Sequence, residues 1–245
     1  MINTIIGLIF TFYLSFLPDF INSNSDYIKN EKRNFLTENQ SAKNTLKLYQ
    51  DVDNKNINFN VFENAIKGYS QLLKNGDLTN ENLLSIIDFS KSANEKRFFI
   101  LDLKNKKTVF EEYVAHGTKS GVVFATKFSN NKHSNQSSLG FYVTGKTYKG
   151  KNGFSLKLHG KEKDFNSNAY ERGVVIHGAN YVSEKFIKQN GRLGRSFGCP
   201  AINENIKFEI IEQIKNGTCL FIYYPDKEYI SKSKFLNSKV KSSFI

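Results

Sequence analysis

"RGVVIHGANYVSEKFIKQNGRLGRSFGCPAI", Arg172 to Ile202, decides how the chain is read. It opens on a short apolar run that ends in His177 and Gly178. It closes on Cys199, set between Gly198 and Pro200. A continuous apolar run bounded by glycines predicts a buried strand, so a rigid element positions the imidazole. A catalytic thiol has to be partly exposed and available as thiolate. Gly198 leaves the surroundings of Cys199 uncrowded, and Pro200 suits the first position of a helix. A helix entered there and running through Ile214 sets the sulfur near free N–H groups. Their partial positive charge favours a thiolate and holds an oxyanion. Arg192 and Arg195 add positive charge nearby.

The residues alone leave three readings of Cys199: nucleophile, half of a disulfide, or small buried side chain. Its only possible partner is Cys219, in "GTCLFIYYP", which reads as a small hydrophobe on a buried strand. A Cys199–Cys219 bond would consume the one cysteine in a reactive context. A nucleophilic thiol also needs a base within reach. Of the four histidines, His133 lies in a polar loop, and His116 and His159 each end a strand before a glycine. His177 is the strongest candidate. No C-x-x-C is present, and no third ligand clusters with His177 and Cys199, so neither a thioredoxin-like site nor zinc is expected.

Outward from this stretch, "RFFILDLKNKKTVFEEYVAHG" predicts two strands around a polar turn at 104–107. "GVVFATKF" predicts another strand, and "SLGFYVTGKTYKGKNGFSLKLHG" a hairpin turning at 149–153. "NENIKFEIIEQIKNGT" predicts a helix and "CLFIYYP" a closing strand. Short turns between closely spaced strands favour antiparallel pairing. Upstream, Val61, Phe62, Ala65, Ile66, Tyr69, Leu72 and Leu73 fall on one helical face, with a capping box at Asn60 and Glu63 and a stop at Gly76. "LTNENLLSIIDFSK" reads as a second, short amphipathic helix. The class is α+β: a mostly antiparallel β domain over 95–226 with a short helix after the nucleophile, preceded by a small helical subdomain over 45–93. Residues 25–44 read as a linker and 227–245 as a basic, fraying tail.

The 245 residues are 39% hydrophobic, enough for a sizeable core, and carry a formal net charge of +12. A basic surface attracts polyanions, but the lysines are spread along the chain and no nucleic-acid module is present, so nucleic acid is not an expected partner. The apolar run Ile5–Leu17, broken by Pro18, suits a secretory h-region better than a membrane-spanning helix. Residues 1–24 are therefore expected to be a signal peptide or an N-terminal membrane anchor. The protein is expected to be exported, to a periplasmic or cell-envelope location.

The His177 block resembles the L,D-transpeptidase catalytic domain (YkuD-like) in its murein branch. That family pairs a histidine with a Ser-x-Gly-Cys motif downstream, here Ser196-Phe197-Gly198-Cys199. The stretch from Ser137 to Gly173 resembles the same branch. Phe197 departs from the His or Arg common in the wider family, which removes a charged donor there. The resemblance implies acyl transfer on peptidoglycan tetrapeptide stems through a Cys199 thioester, with His177 as general base oriented by a backbone carbonyl. It implies an oxyanion site at the N–H of Cys199 with a neighbour such as Gly198, and loop support from Ser196 and Gly178. It implies stem-carboxylate binding by Arg172 and Arg195, a cleft lined by Ser137 and Ser138, no metal or organic cofactor, an anionic cell-wall surface as partner, and carbapenem β-lactams as inhibitors. An L,D-carboxypeptidase using water as acceptor, or an inactive wall-binding protein, stands as the alternative.

Overall fold

A computed structural model describes residues 39–238 of the chain. The expected signal peptide or anchor, residues 25–38 of the expected linker and residues 239–245 lie outside them. Residues 39–44 are helical and group with the N-terminal unit. Thr45–Val240 make up the second unit, to which everything below belongs.

Helix α1, Phe59–Lys74, follows the predicted apolar face: Val61, Phe62, Ala65, Ile66, Tyr69 and Leu72 are buried. Its cap is Asn58, whose side chain accepts from the Asn60 amide, and not the predicted Asn60–Glu63 box. Gly76 ends the helix at φ +71, as expected of a left-handed stop. The next segment corrects the reading of a second helix. Leu83–Asp88 is strand β1, with all six residues buried. A short, mostly apolar run fits a buried helix or a buried strand equally, and here it forms a central strand.

The remaining strands are β2 (Phe98–Asp102), β3 (Lys107–Glu112), β4 (Gly140–Gly150), β5 (Gly153–Gly160), β6 (Val175–Ala179), β7 (Ala201–Asn203) and β8 (Cys219–Tyr223). They build one eight-stranded sheet in the order β3-β2-β1-β8-β4-β5-β6-β7. Pairing is antiparallel except for β1 with β8 and β6 with β7. The two predicted hairpins form, β2–β3 around 103–106 and β4–β5 around 151–152. The last strand, β8, lies mid-sheet, between β1 and β4.

Residues 121–128 do not form the expected strand. Gly121 and Ala125 bridge across a tight turn, leaving Val122 and Phe124 exposed. Nor does a helix start at Pro200: the chain enters β7, and α3, Lys207–Ile214, begins seven positions later. The other short helix of this half is α2, Glu184–Asn190, capped by Ser183.

One hydrophobic core joins α1 to the sheet, so 45–93 is not a separate helical subdomain. The ring of Phe141 stacks on Phe221 at 4.2 Å. A Cβ at Gly68 would lie 2.0 Å from the Phe141 ring, so only glycine lets α1 come this close. Burying a phenylalanine of this kind contributes about 2–3 kcal/mol. The expected fraying tail is also corrected for residues 227–238. Helix α4, Lys227–Lys232, is capped by Asp226. Tyr229 within it and Ser233 at its end donate their hydroxyls to the buried Glu162 carboxylate, and beyond it Phe235 packs on Phe141 at 5.2 Å. These anchors are single side chains in a polar, basic stretch, which composition does not reveal.

Candidate active site

β6 and β7 lie side by side at one end of the sheet, in parallel, with His177 opposite Ala201. Cys199 stands two residues before Ala201, and the His177 amide donates to Pro200 O at 3.4 Å. Sheet pairing therefore brings the two halves of the motif together. Cys199 Sγ sits at the start of β6. The Val175 amide donates to it at 3.5 Å, and the thiol faces the Gly173 carbonyl at 3.6 Å. Both cysteines are free thiols, so the disulfide is absent; Cys219 is fully buried on β8.

The loop that presents Cys199 is tied by Ser196. Its hydroxyl donates to Cys199 O at 2.6 Å and accepts from the Gly198 amide at 3.1 Å. The Gly198 N–H is thus occupied, which corrects its expected part in an oxyanion site. The Cys199 N–H has no hydrogen-bond partner among the described residues. Gly198 is needed for backbone reasons, and its surroundings are not open. Its φ is +126, and a Cβ would meet Gln136 O at 2.8 Å. Gly178 is likewise closely packed, with the Glu204 carboxylate and the Lys207 stem 2.4 Å from a Cβ placed there.

His177 Nδ1 lies 2.8 Å from the carbonyl of Gly178. A carbonyl only accepts, so Nδ1 carries the proton and Nε2 keeps its lone pair. Burial lowers the imidazole's pKa below the usual 6.5; the Gly178 carbonyl and Glu204 pull it up by less. The ring is therefore neutral at pH 7. Burial raises the Cys199 thiol above 9.0, while the Val175 amide and the Arg172 charge oppose the rise. No helix N-terminus stands at Pro200 to add to them, and burial outweighs both. The resting chemistry is a neutral thiol and a neutral base.

Arg172, expected to bind a stem carboxylate, instead binds the chain. Nη1 donates to Ser129 O and Ser138 Oγ, and Nη2 to Ser134 Oγ and Gln136 O. It braces the loop whose Gln136 carbonyl lies against Gly198, and places a positive charge toward Cys199. Ser137 and Ser138, expected to line a cleft, are buried with their hydroxyls bound within the chain. Ser137 Oγ donates to Gly198 O at 3.1 Å and accepts from the Gly117 amide, while Ser138 Oγ donates to Ser129 O. Arg195 turns Nη1 onto Thr118 O and Gly121 O. Phe197, two residues before Cys199, is 80% exposed.

Behind the loop lies a pair that residue types did not single out. Arg97 is fully buried without an ion-pair partner among the described residues. Its Nε and Nη2 donate to Val114 O, Nη1 to Lys91 O, and Nη2 to His116 Nδ1 at 2.9 Å. Guanidinium only donates, so His116 Nδ1 accepts and Nε2–H faces Gly121 O at 3.3 Å. The His116 carbonyl accepts from the Ser196 amide, which links this pair to the loop that carries Cys199. The one sequence signal was an arginine heading the apolar run "RFFILD".

Burial, reinforced by Arg97, lowers the His116 pKa from 6.5 to about 4. The unfolded chain then binds the extra proton first, so stability falls as pH drops from 6.5 toward 4, by about 3 kcal/mol in total. His116→Gln, which still accepts from Arg97, is expected to remove that share of the slope. Urea midpoints from pH 7 to 4 measure it; equal slopes in both proteins would contradict it.

The profile of the L,D-transpeptidase catalytic domain matches residues 53–223. The chain belongs to the L,D-transpeptidase catalytic-domain family. Among solved structures it is similar to an L,D-transpeptidase from Mycobacterium smegmatis, at 10% identity and TM-score 0.37 over 58% of this chain and 59% of that one. It is also similar to an L,D-transpeptidase from Xylanimonas cellulosilytica, at 14% identity and TM-score 0.33 over 58% and 60%. A third is the helical cell shape determining protein Pgp2 from Campylobacter jejuni, at 15% identity and TM-score 0.36 over 59% and 48%. The chain spans about three fifths of the length of the first of these relatives. No curated protein matches it. Among the described residues no group of three His, Cys, Asp or Glu is placed to hold a metal, and no helix is long and apolar enough to cross a membrane.

Proposed function

We propose that this member of the L,D-transpeptidase family is a cysteine-dependent acyltransferase acting on peptidoglycan stem peptides. The observation that carries the reading is the pairing of β6 with β7. It supports the reading by setting Cys199 two residues before Ala201, the residue opposite His177, whose Nδ1 faces the Gly178 carbonyl.

The thiol proton moves to His177 Nε2 as Cys199 Sγ attacks the carbonyl of the third residue of a tetrapeptide stem. The oxyanion forms toward the Cys199 N–H. The C–N bond then breaks, and the imidazolium returns its proton to the departing D-alanine amine, leaving a thioester. The side-chain amine of a second stem attacks that thioester and gives its proton to His177. Sγ leaves as thiolate and is reprotonated, giving a 3→3 cross-link. Arg172 helps by charge, since a cation near Sγ favours the electron-rich sulfur of the transition state. The dyad requires no cofactor. The work takes place outside the cytoplasm: residues 1–24 serve as signal peptide or anchor, and the +12 charge suits an anionic wall.

Incubation with disaccharide-tetrapeptide and mass analysis of the products tests this. Cross-linked dimer with released D-alanine is the expected result. Free tripeptide alone would make water the acceptor, and no product from folded protein would overturn the enzymatic reading.

A further inference from the structure

We infer that Lys157 is the carboxylate-recognition residue of this site and binds an anionic group of the peptide that acylates Cys199. The inference rests on the acyl-transfer reading for the identity of the peptide, but not for the existence of the anion site.

The register carries the argument. In the antiparallel β5–β6 pair Ser155 stands opposite His177, and Lys157 opposite Val175. Opposed residues share a face of the sheet. Leu156, Leu158 and Ile176 turn to the core, on the side where Phe154 meets Phe208 of α3. Lys157 and His159 turn to the other side, with His177. Val175 is also the residue whose amide holds Cys199 Sγ. Lys157 therefore faces the anchor of the nucleophile across one strand spacing.

Its ammonium is held in place without being neutralised. Nζ lies 5.1 Å from the Tyr170 ring centroid and 5.6 Å from that of Tyr148, and donates to Tyr170 Oη at 3.2 Å. The Tyr170 ring is itself stacked on His159 at 5.2 Å. Three residues beyond Tyr170 comes Gly173, whose carbonyl faces Sγ. Lys161 pairs with Asp77, Lys207 with Glu204 and Lys132 with Glu171. Lys157 has no such partner among the described residues. An ammonium has three donors, and the one phenol oxygen uses one of them. Two aromatic rings lie against the cation without cancelling its charge, which leaves it available to a carboxylate. Glycine at 145 makes room on the adjoining β4 bulge, because a Cβ there would lie 3.2 Å from Lys157 Cβ and 2.7 Å from His159 Nε2.

Iodoacetate and iodoacetamide test the site without requiring turnover. Each alkylates the thiolate by forming an S–C bond and expelling iodide. They are of similar size, and only the first carries a carboxylate. The ratio of their rates on Cys199, with Cys199→Ala as background, cancels any change in thiolate fraction. Lys157→Met is expected to lower the acetate-to-acetamide ratio about five- to tenfold, and Lys157→Arg to keep most of it. An unchanged ratio in folded Lys157→Met, or in Lys157→Gln if the first variant misfolds, overturns the inference. A second arm compares tetrapeptides with a free or an amidated terminal carboxylate. Wild type is expected to prefer the free acid, and Lys157→Met to lose the preference. If the ratio shifts while no tetrapeptide is processed, the anion site stands and the peptide reading fails. Turnover with an unshifted ratio removes the inference alone.

Discussion

Replacing His177 with glutamine is expected to slow acylation of Cys199 by about 10³-fold at pH 7. The size follows from the resting protonation states. Burial pushes the Cys199 thiol up, so the neutral thiol is the resting form at neutral pH and the proposed reaction depends on proton transfer to a base. In the proposed mechanism His177 is that base, since burial lowers its folded pKa below 6.5 and Gly178 O fixes the proton on Nδ1. The pH profiles should separate accordingly. Wild type keeps its rate down through pH 6.5 and loses it only as pH falls through the lowered imidazole pKa. His177→Gln has no such limb, and its residual rate climbs about tenfold per pH unit toward the thiol pKa. Stopped-flow acylation by a carbapenem from pH 5 to 10 reads both. A His177→Gln profile that overlays wild type would remove the histidine from the chemistry.

Arg97→Ala is expected to destabilise the domain by about 3–5 kcal/mol, although residue 97 touches no reacting atom. The loss has two parts. A fully buried long side chain leaves a cavity, and Val114 O, Lys91 O and His116 Nδ1 lose their donors in a dry interior. Arg97→Met restores most of the volume but none of the donors, so it should recover about half of the loss. For a domain of this size the alanine variant would melt roughly 10 °C lower. Urea titration of the three proteins measures this. A loss under about 1 kcal/mol for Arg97→Ala would show that the pair is not structural. Because His116 O accepts from the Ser196 amide, Arg97→Ala should also slow acylation below its midpoint temperature.

The site was more legible in the sequence than the fold around it. His177 and Cys199 announce themselves because each is bounded by glycine, and the chemistry needs those residue types. The α1 face and the two hairpins were legible through periodicity and turn residues. LLSIID was misread because a buried central strand has no alternation to show. The helix at Pro200 was misread because proline suits the start of a helix and the approach to a short strand alike. What sequence hid most was the use of polar groups. Arg172, Ser137 and Ser138 have the chemistry of a substrate cleft, yet their partners are carbonyls and hydroxyls of their own chain. Arg97 and Glu162 are anchored by residues distant in sequence, and no local pattern encodes that pairing.

The account turns on Cys199 as the nucleophile. Intact mass of the purified protein after incubation with imipenem, beside Cys199→Ala, tests that most directly. A single adduct of one imipenem on wild type and none on the variant is the predicted result. A folded wild type that stays unmodified with its thiol free, or an adduct that persists on Cys199→Ala, would contradict it.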